Sequence, residues 1–125
     1  MRIDNRIKRS LRIFSLIVLT SYLAACIKVD TPPALEITVI DQYNNAVSGA
    51  LIAIFDSQEE WAMRENPVQA WKMTDTNGKV MFVNLQEINY FIYAEKDNLN
   101  NLKNEIRISD IILNNQIRII RIHID

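Results

Sequence analysis

From Leu35 to the C-terminus the apolar residues of this chain fall in short, closely spaced runs, and that spacing most limits the folds open to it. No window repeats apolar residues at i, i+3, i+4 and i+7 for long enough to make an extended amphipathic helix. The runs are rich in Ile and Val and are divided by Asn, Asp and Gly. That is the pattern of an all-β sandwich.

Leu35, Ile37 and Val39 alternate with Glu36 and Thr38, which predicts a first strand with one wet face. Asp41 to Asn45 is turn chemistry, since Asn and Asp tolerate left-handed φ and hydrogen-bond their own backbone. Ala50 to Phe55 is apolar on both faces and suits a central strand. Val68 to Thr74 reads as the third strand, turned back by Asp75-Thr76-Asn77-Gly78 into Lys79 to Val83, with Asn77-Gly78 supplying positive φ for a tight hairpin. Tyr90 to Glu95 follows. Glu105 to Leu113 and Gln116 to Ile124 read as a last hairpin around Asn114-Asn115. The expectation is a seven-stranded antiparallel β-sandwich, Ig-like in layout, behind a cleaved N-terminal signal helix. One irregularity stands out. Ile120, Ile122 and Ile124 share one phase, whereas Ile117 and Ile119 take the other, so a bulge or bend is expected there, and a similar one near Asp110. Arg118 and Arg121 read as gatekeepers against edge-to-edge aggregation.

Ahead of these strands lies a different kind of segment. Arg2, Arg6, Lys8, Arg9 and Arg12, opposed only by Asp4, precede the eleven uncharged residues Ile13 to Leu23. This is the plan of a secretory signal. Eleven helical residues reach roughly 16 Å, about half a hydrocarbon core, so a permanent span is disfavoured. Leu23-Ala24-Ala25-Cys26 resembles a bacterial lipobox. The resemblance implies cleavage between Ala25 and Cys26 and acylation of the Cys26 thiol, with multiple acyl chains giving stable anchoring. The competing reading is an ordinary secreted protein cut nearby, leaving Cys26 as a bare thiol. Cys26 is the sole cysteine and has no internal disulfide partner. Residues 1–25 are thus expected to be a signal peptide, 26–34 a lipidated tether stiffened by Pro32 and Pro33, and 35–125 one β-sandwich domain. Ile27 after the cysteine fits, by the sorting rule known for some lipoproteins, export to the outer membrane. Lys28 and Asp30 weakly resemble a surface-display tether, so either the periplasmic or the exterior face is open. Residues 1–25 hold five of the fourteen basic and one of the fifteen acidic residues, leaving nine and fourteen, a net charge of −5. An acidic body argues against nucleic acid as a partner.

Residues 35–95 resemble a carboxypeptidase regulatory-like domain, the transthyretin-like (prealbumin-like) sandwich. The likeness lies in Leu35 to Asp41, in Val47-Ser48-Gly49-Ala50-Leu51-Ile52-Ala53-Ile54, in Thr74-Asp75-Thr76-Asn77-Gly78-Lys79-Val80-Met81-Phe82-Val83-Asn84-Leu85, and in Tyr90 to Ala94. Asn98 to Asn101 and the Glu59 to Pro67 loop are similar to stretches of small Gram-negative lipoproteins with that fold. The expected inter-sheet core is Ala50, Ile52, Ile54, Val80, Phe82, Leu85, Tyr90, Ile92 and Ala94. Tyr90 is also expected to place its hydroxyl on upstream backbone.

Residues for chemistry are sparse. His123 is the sole histidine and reads as a solvent-facing strand residue. There is no second histidine or spare cysteine for a soft-metal site, and no G-x-S-x-G elbow. Transthyretin-like purine hydrolases use a histidine and arginine set and a C-terminal tetrapeptide that this chain does not have. Asp75 to Gly78 is a turn rather than a calcium loop, whose twelve-residue ligand set is missing. No enzyme, cofactor or metal is expected. The candidate binding element is the loop from Asp56 to Pro67, with Trp61 and Met63 among Glu59 and Glu60. Trp61 is either an exposed contact for a sugar or protein, or a lid folded over the end of the sandwich on a short helical turn. The functional expectation is a membrane-anchored envelope lipoprotein, held by lipid on Cys26, whose non-catalytic domain binds a protein or glycan. The alternative is a structural accessory subunit of an outer-membrane complex.

Overall fold

The structure, a computed structural model, describes residues 29–103 and 108–125. The expected signal peptide, the Ala25–Cys26 cleavage point and residues 105–107 lie outside the described residues. The described chain is mostly β. Its strands are β1 (Ala34–Ile40), β2 (Leu51–Phe55), β3 (Lys72–Met73), β4 (Lys79–Phe82), β5 (Phe91–Lys96), β6 (Leu99–Asn100) and β7 (Ile117–His123), with one six-residue helix, α1 (Gln58–Met63). They form two sheets, ordered β4-β1-β7 and β3-β2-β5-β6.

Between the sheets lies one apolar core. Leu35, Ile37 and Val39 from β1, with Val80, Phe82 and Ile122 from its neighbours, meet Ile52, Ile54, Ile92 and Ala94 from the other sheet. All nine residues expected in the core are there. Glu36 and Thr38 take the outer face, as the alternation requires. Strand β2, apolar on both faces, is central between β3 and β5.

The turns follow their residue types. Asp41 Oδ1 accepts from the N–H groups of Tyr43 and Asn45 at 2.8 and 2.9 Å, and Asp75 Oδ1 accepts from Asn77 and Lys79 at 2.8 and 3.0 Å. Gly78 has φ +74, and a Cβ there would sit 2.8 Å from the Val39 carbonyl. Only Gly allows that approach.

Several expectations need correction. Asp75 to Gly78 is a turn but not a hairpin, because β3 pairs with β2 in one sheet and β4 with β1 in the other. The third strand shrinks to two residues, Lys72–Met73, with single backbone bonds to β2 beyond them from Val68 N–H to the Ile54 carbonyl at 2.9 Å and from Thr74 N–H to the Ala50 carbonyl at 2.8 Å. The described residues 108–113 hold only an isolated bridge, Ile108 to Phe91, so they are not half of a final hairpin. Nor is the arrangement wholly antiparallel: β7 runs parallel to β1, Ala34 to Ile40 matching Ile117 to His123.

The Asn114-Asn115 turn explains that direction. Asn115 N–H donates to the Thr31 carbonyl at 2.8 Å, Thr31 N–H donates to Asn115 Oδ1 at 2.8 Å, and Ala34 N–H donates to the Gln116 carbonyl at 3.1 Å. The turn therefore docks where β1 begins, and both strands leave from the same end. These bonds, with Asp30 accepting from Asn115 Nδ2 at 3.1 Å, also tie residues 30–34 of the expected tether to the domain. Strand β7 has no bulge. Its register is continuous, and the phase change arises because Ile117 and Ile119 are left on the outer face, 60% and 67% exposed.

Candidate functional site

The loop after β2 is shaped by helix α1. Ser57 caps its start, accepting from Glu60 N–H at 3.2 Å, and Glu59 and Glu60 sit in the first turn, where the positive end of the helix dipole favours them. Arg64 ends it in the left-handed region at φ 56. This helix carries Trp61 onto the outer face of β2 and β5, against Ala53, Phe55 and Tyr93, with Phe91 packed alongside. Trp61 is 6% exposed, and its Nε1 donates to the Ile92 carbonyl at 3.0 Å. It does sit on a helical turn, yet it covers a sheet face rather than the end of the molecule. The Arg64 guanidinium lies 5.2 Å from the Tyr93 ring centre, and Trp71 meets that ring edge-on at 5.9 Å. Burial first, and then its 2.8 Å bond to Glu95, push the Tyr93 hydroxyl pKa up.

Trp61 is therefore a packing residue, and the loop's other candidates divide around it. Met63 is 61% exposed at the helix end, and Glu59 is exposed. Glu60 instead lines a groove with Asp56, Asn66, Gln69, Asn84 and Gln86, beside Ile88 and Tyr90. A hydrogen bond with Asp56, then desolvation and the repulsion of Asp56, raise the Glu60 carboxyl above its ordinary value. Four side-chain amides and a carboxylate pair beside apolar surface can exchange hydrogen bonds with hydroxyls or peptide groups. They supply no nucleophile–base pair.

The groove wall is held by Tyr90, whose hydroxyl accepts from Gln86 N–H at 2.8 Å and donates to the Gln86 carbonyl at 3.4 Å. The expected contact with upstream backbone is thus present. Sequence reasoning did not single out Asn101 or Ser109. Buried Asn101 accepts from Ala94 N–H at 3.0 Å and donates to the Ile92 carbonyl at 2.9 Å, extending the ladder of β5 beyond β6. Ser109 accepts from Tyr90 N–H at 2.9 Å. An Asn among other Asn residues gives no local sign that it will be the buried one. His123 is exposed, with Nε2 3.3 Å from Asn44 Oδ1. Among the described residues no three His, Cys, Asp or Glu side chains converge as metal ligands, and no helix is long and apolar enough to cross a membrane.

A scan against protein-family models finds no match for this chain, and a search of curated proteins likewise finds none.

Proposed function

We propose that this chain is the precursor of a lipid-anchored envelope protein whose transthyretin-like sandwich is a non-catalytic binding module. The observation that carries the reading is the order of features along the chain. A basic, then apolar, leader ends in Leu23-Ala24-Ala25-Cys26, and by Asp30 the chain is already hydrogen-bonded to a β domain. Acylation at Cys26 would hold that domain against the membrane, with the outer membrane favoured by Ile27. The groove beside α1 is the supported contact for a protein or glycan partner, because its amides and carboxylates match hydroxyl and peptide groups.

Metabolic labelling with a clickable fatty acid tests the anchor. The mature protein should carry label, and globomycin or Cys26→Ala should leave an unlabelled precursor. An unlabelled wild type would defeat the anchor. The groove is tested by glycan-array and crosslinking capture with Gln86→Ala, whose backbone role at Tyr90 is preserved. Binding should fall at least tenfold with an unchanged melting curve.

A further inference from the structure

The geometry points to β7 as a docking edge for an extended segment of a partner protein, one that carries apolar side chains followed by a carboxylate on the face it shares with β7. This deepens the binding-module reading, on which it rests, by naming a partner class and a second surface.

The edges of the two sheets are treated differently. Among the described residues, β3 and β6 are edges of two residues each. Edge strand β4 is four residues long, and the side chains of Lys72 and Gln69 occupy its Met81 carbonyl and the Val83 carbonyl just past its end. Strand β7 is an edge of seven residues, bonded on one side to β1. In a parallel ladder alternate residues direct both N–H and C=O to the same neighbour. The bonds that close this ladder, Ala34 N–H to the Gln116 carbonyl and Ile124 N–H to the Ile40 carbonyl, assign Arg118, Ile120 and Ile122 to β1. The backbone groups of Ile117, Ile119 and Arg121 therefore face away, and no described residue takes them. A shallow groove follows this edge along Gln116 to Ile119.

Side chains set the partner's chemistry. Ile117, Ile119 and Arg121 share the outer face, so a strand added there would meet two apolar positions and then a cation. Arg118, in the other phase, already pairs with Asp110 at 3.9 Å, while no described carboxylate lies within ion-pair distance of Arg121. Strand β7 carries no acidic residue, and Asp125 beyond it is tied by its backbone to Asn100. A second copy offering its own β7 would thus bring no carboxylate to Arg121. A partner segment with alternating apolar and acidic residues satisfies both the ladder and the charge.

The test uses the full chain in detergent and fluorescent ten-residue peptides that place valine, valine and glutamate on one strand face, in both chain orders. Lysine replaces glutamate in the controls. The glutamate peptide in one order should bind at least tenfold tighter than its lysine counterpart, and Arg121→Glu should reverse that preference. Ile119→Pro removes an outward N–H without touching the β1 ladder, and should abolish binding while leaving the melting temperature within a few degrees. Equal binding of the two peptides, binding that survives Ile119→Pro, or no binding by a folded monomer would overturn the proposal. So would a dimer dissolved by Ile119→Pro, which would make the occupant a second copy. Partner capture lost in Gln86→Ala but untouched in Ile119→Pro would sink this inference and leave the binding-module reading standing.

Discussion

The outer faces of the two sheets receive opposite treatment from the same sequence. On the β2–β5 side, helix α1 folds back and lays Trp61 over Ala53, Phe55 and Tyr93, making a second small core outside the main one. On the β1–β7 side nothing among the described residues covers Ile117 and Ile119, although they are as apolar as the residues roofed opposite. The difference shows that alternation alone does not decide burial. A face is buried when a connection brings an apolar side chain back across it. The Asp56 to Pro67 connection does so with Trp61, and no described connection does so over Ile117 and Ile119.

The comparison is broken first at its heaviest point. Trp61→Ala should cost about 4 kcal/mol, since it removes a buried indole and leaves the Ile92 carbonyl with one donor fewer. Urea denaturation measures this. A loss below about 1 kcal/mol would mean that the roof adds no more than the bare face opposite.

Next comes Asn101→Ala, for which about 2 kcal/mol is expected, because the Ala94 N–H and the Ile92 carbonyl lose their shared partner in a buried place. Hydrogen exchange at Ala94 should quicken with it. Tyr90→Phe keeps the ring in the core and strips the hydroxyl from Gln86, so roughly 1 kcal/mol should be lost by the same denaturation assay. Ile117→Thr and Ile119→Thr should each stay within about 0.5 kcal/mol, as surface changes do, and a larger loss would show that the β1–β7 face is covered after all.

How much of this was legible beforehand follows the range of the interactions. Period-2 alternation placed Leu35, Ile37 and Val39 correctly because the wet positions Glu36 and Thr38 between them mark which face of the strand is buried. Turns at Asp41 and Asp75 were legible because an Asp side chain bonds backbone two and four residues on. Strand partnership was not. The direction of β7 depends on Asn115 meeting Thr31 across 84 residues, and an Asn-Asn pair looks the same whether it reverses a hairpin or docks on a distant strand. Trp61 showed a related limit: its loop was picked out by length and by its indole, but what the indole covers was set by Tyr93 on another strand. The groove residues Asn66, Asn84 and Gln86 are common polar types, and only the fold gathers them beside Glu60.

The smallest effect expected concerns where the roof begins. Glu60 shares a hydrogen bond with Asp56 and is repelled by it, so its folded pKa lies above the ordinary 4.5. A carboxyl raised on folding binds its proton more tightly in the native state, so stability from this group grows as pH falls through the raised value and is complete below 4.5. It is lost again as pH rises toward neutral, when the Glu60 carboxylate forms beside Asp56 at the start of α1. Glu60→Gln removes the titration while keeping a hydrogen-bonding side chain. The variant should therefore gain on the wild type in melting temperature at pH 7, and that gain should shrink as the buffer is taken down to pH 4.5. A constant difference across the range would show that Asp56 does not raise the Glu60 carboxyl, and that the helix roofing the β2–β5 face is held without regard to the groove beside it.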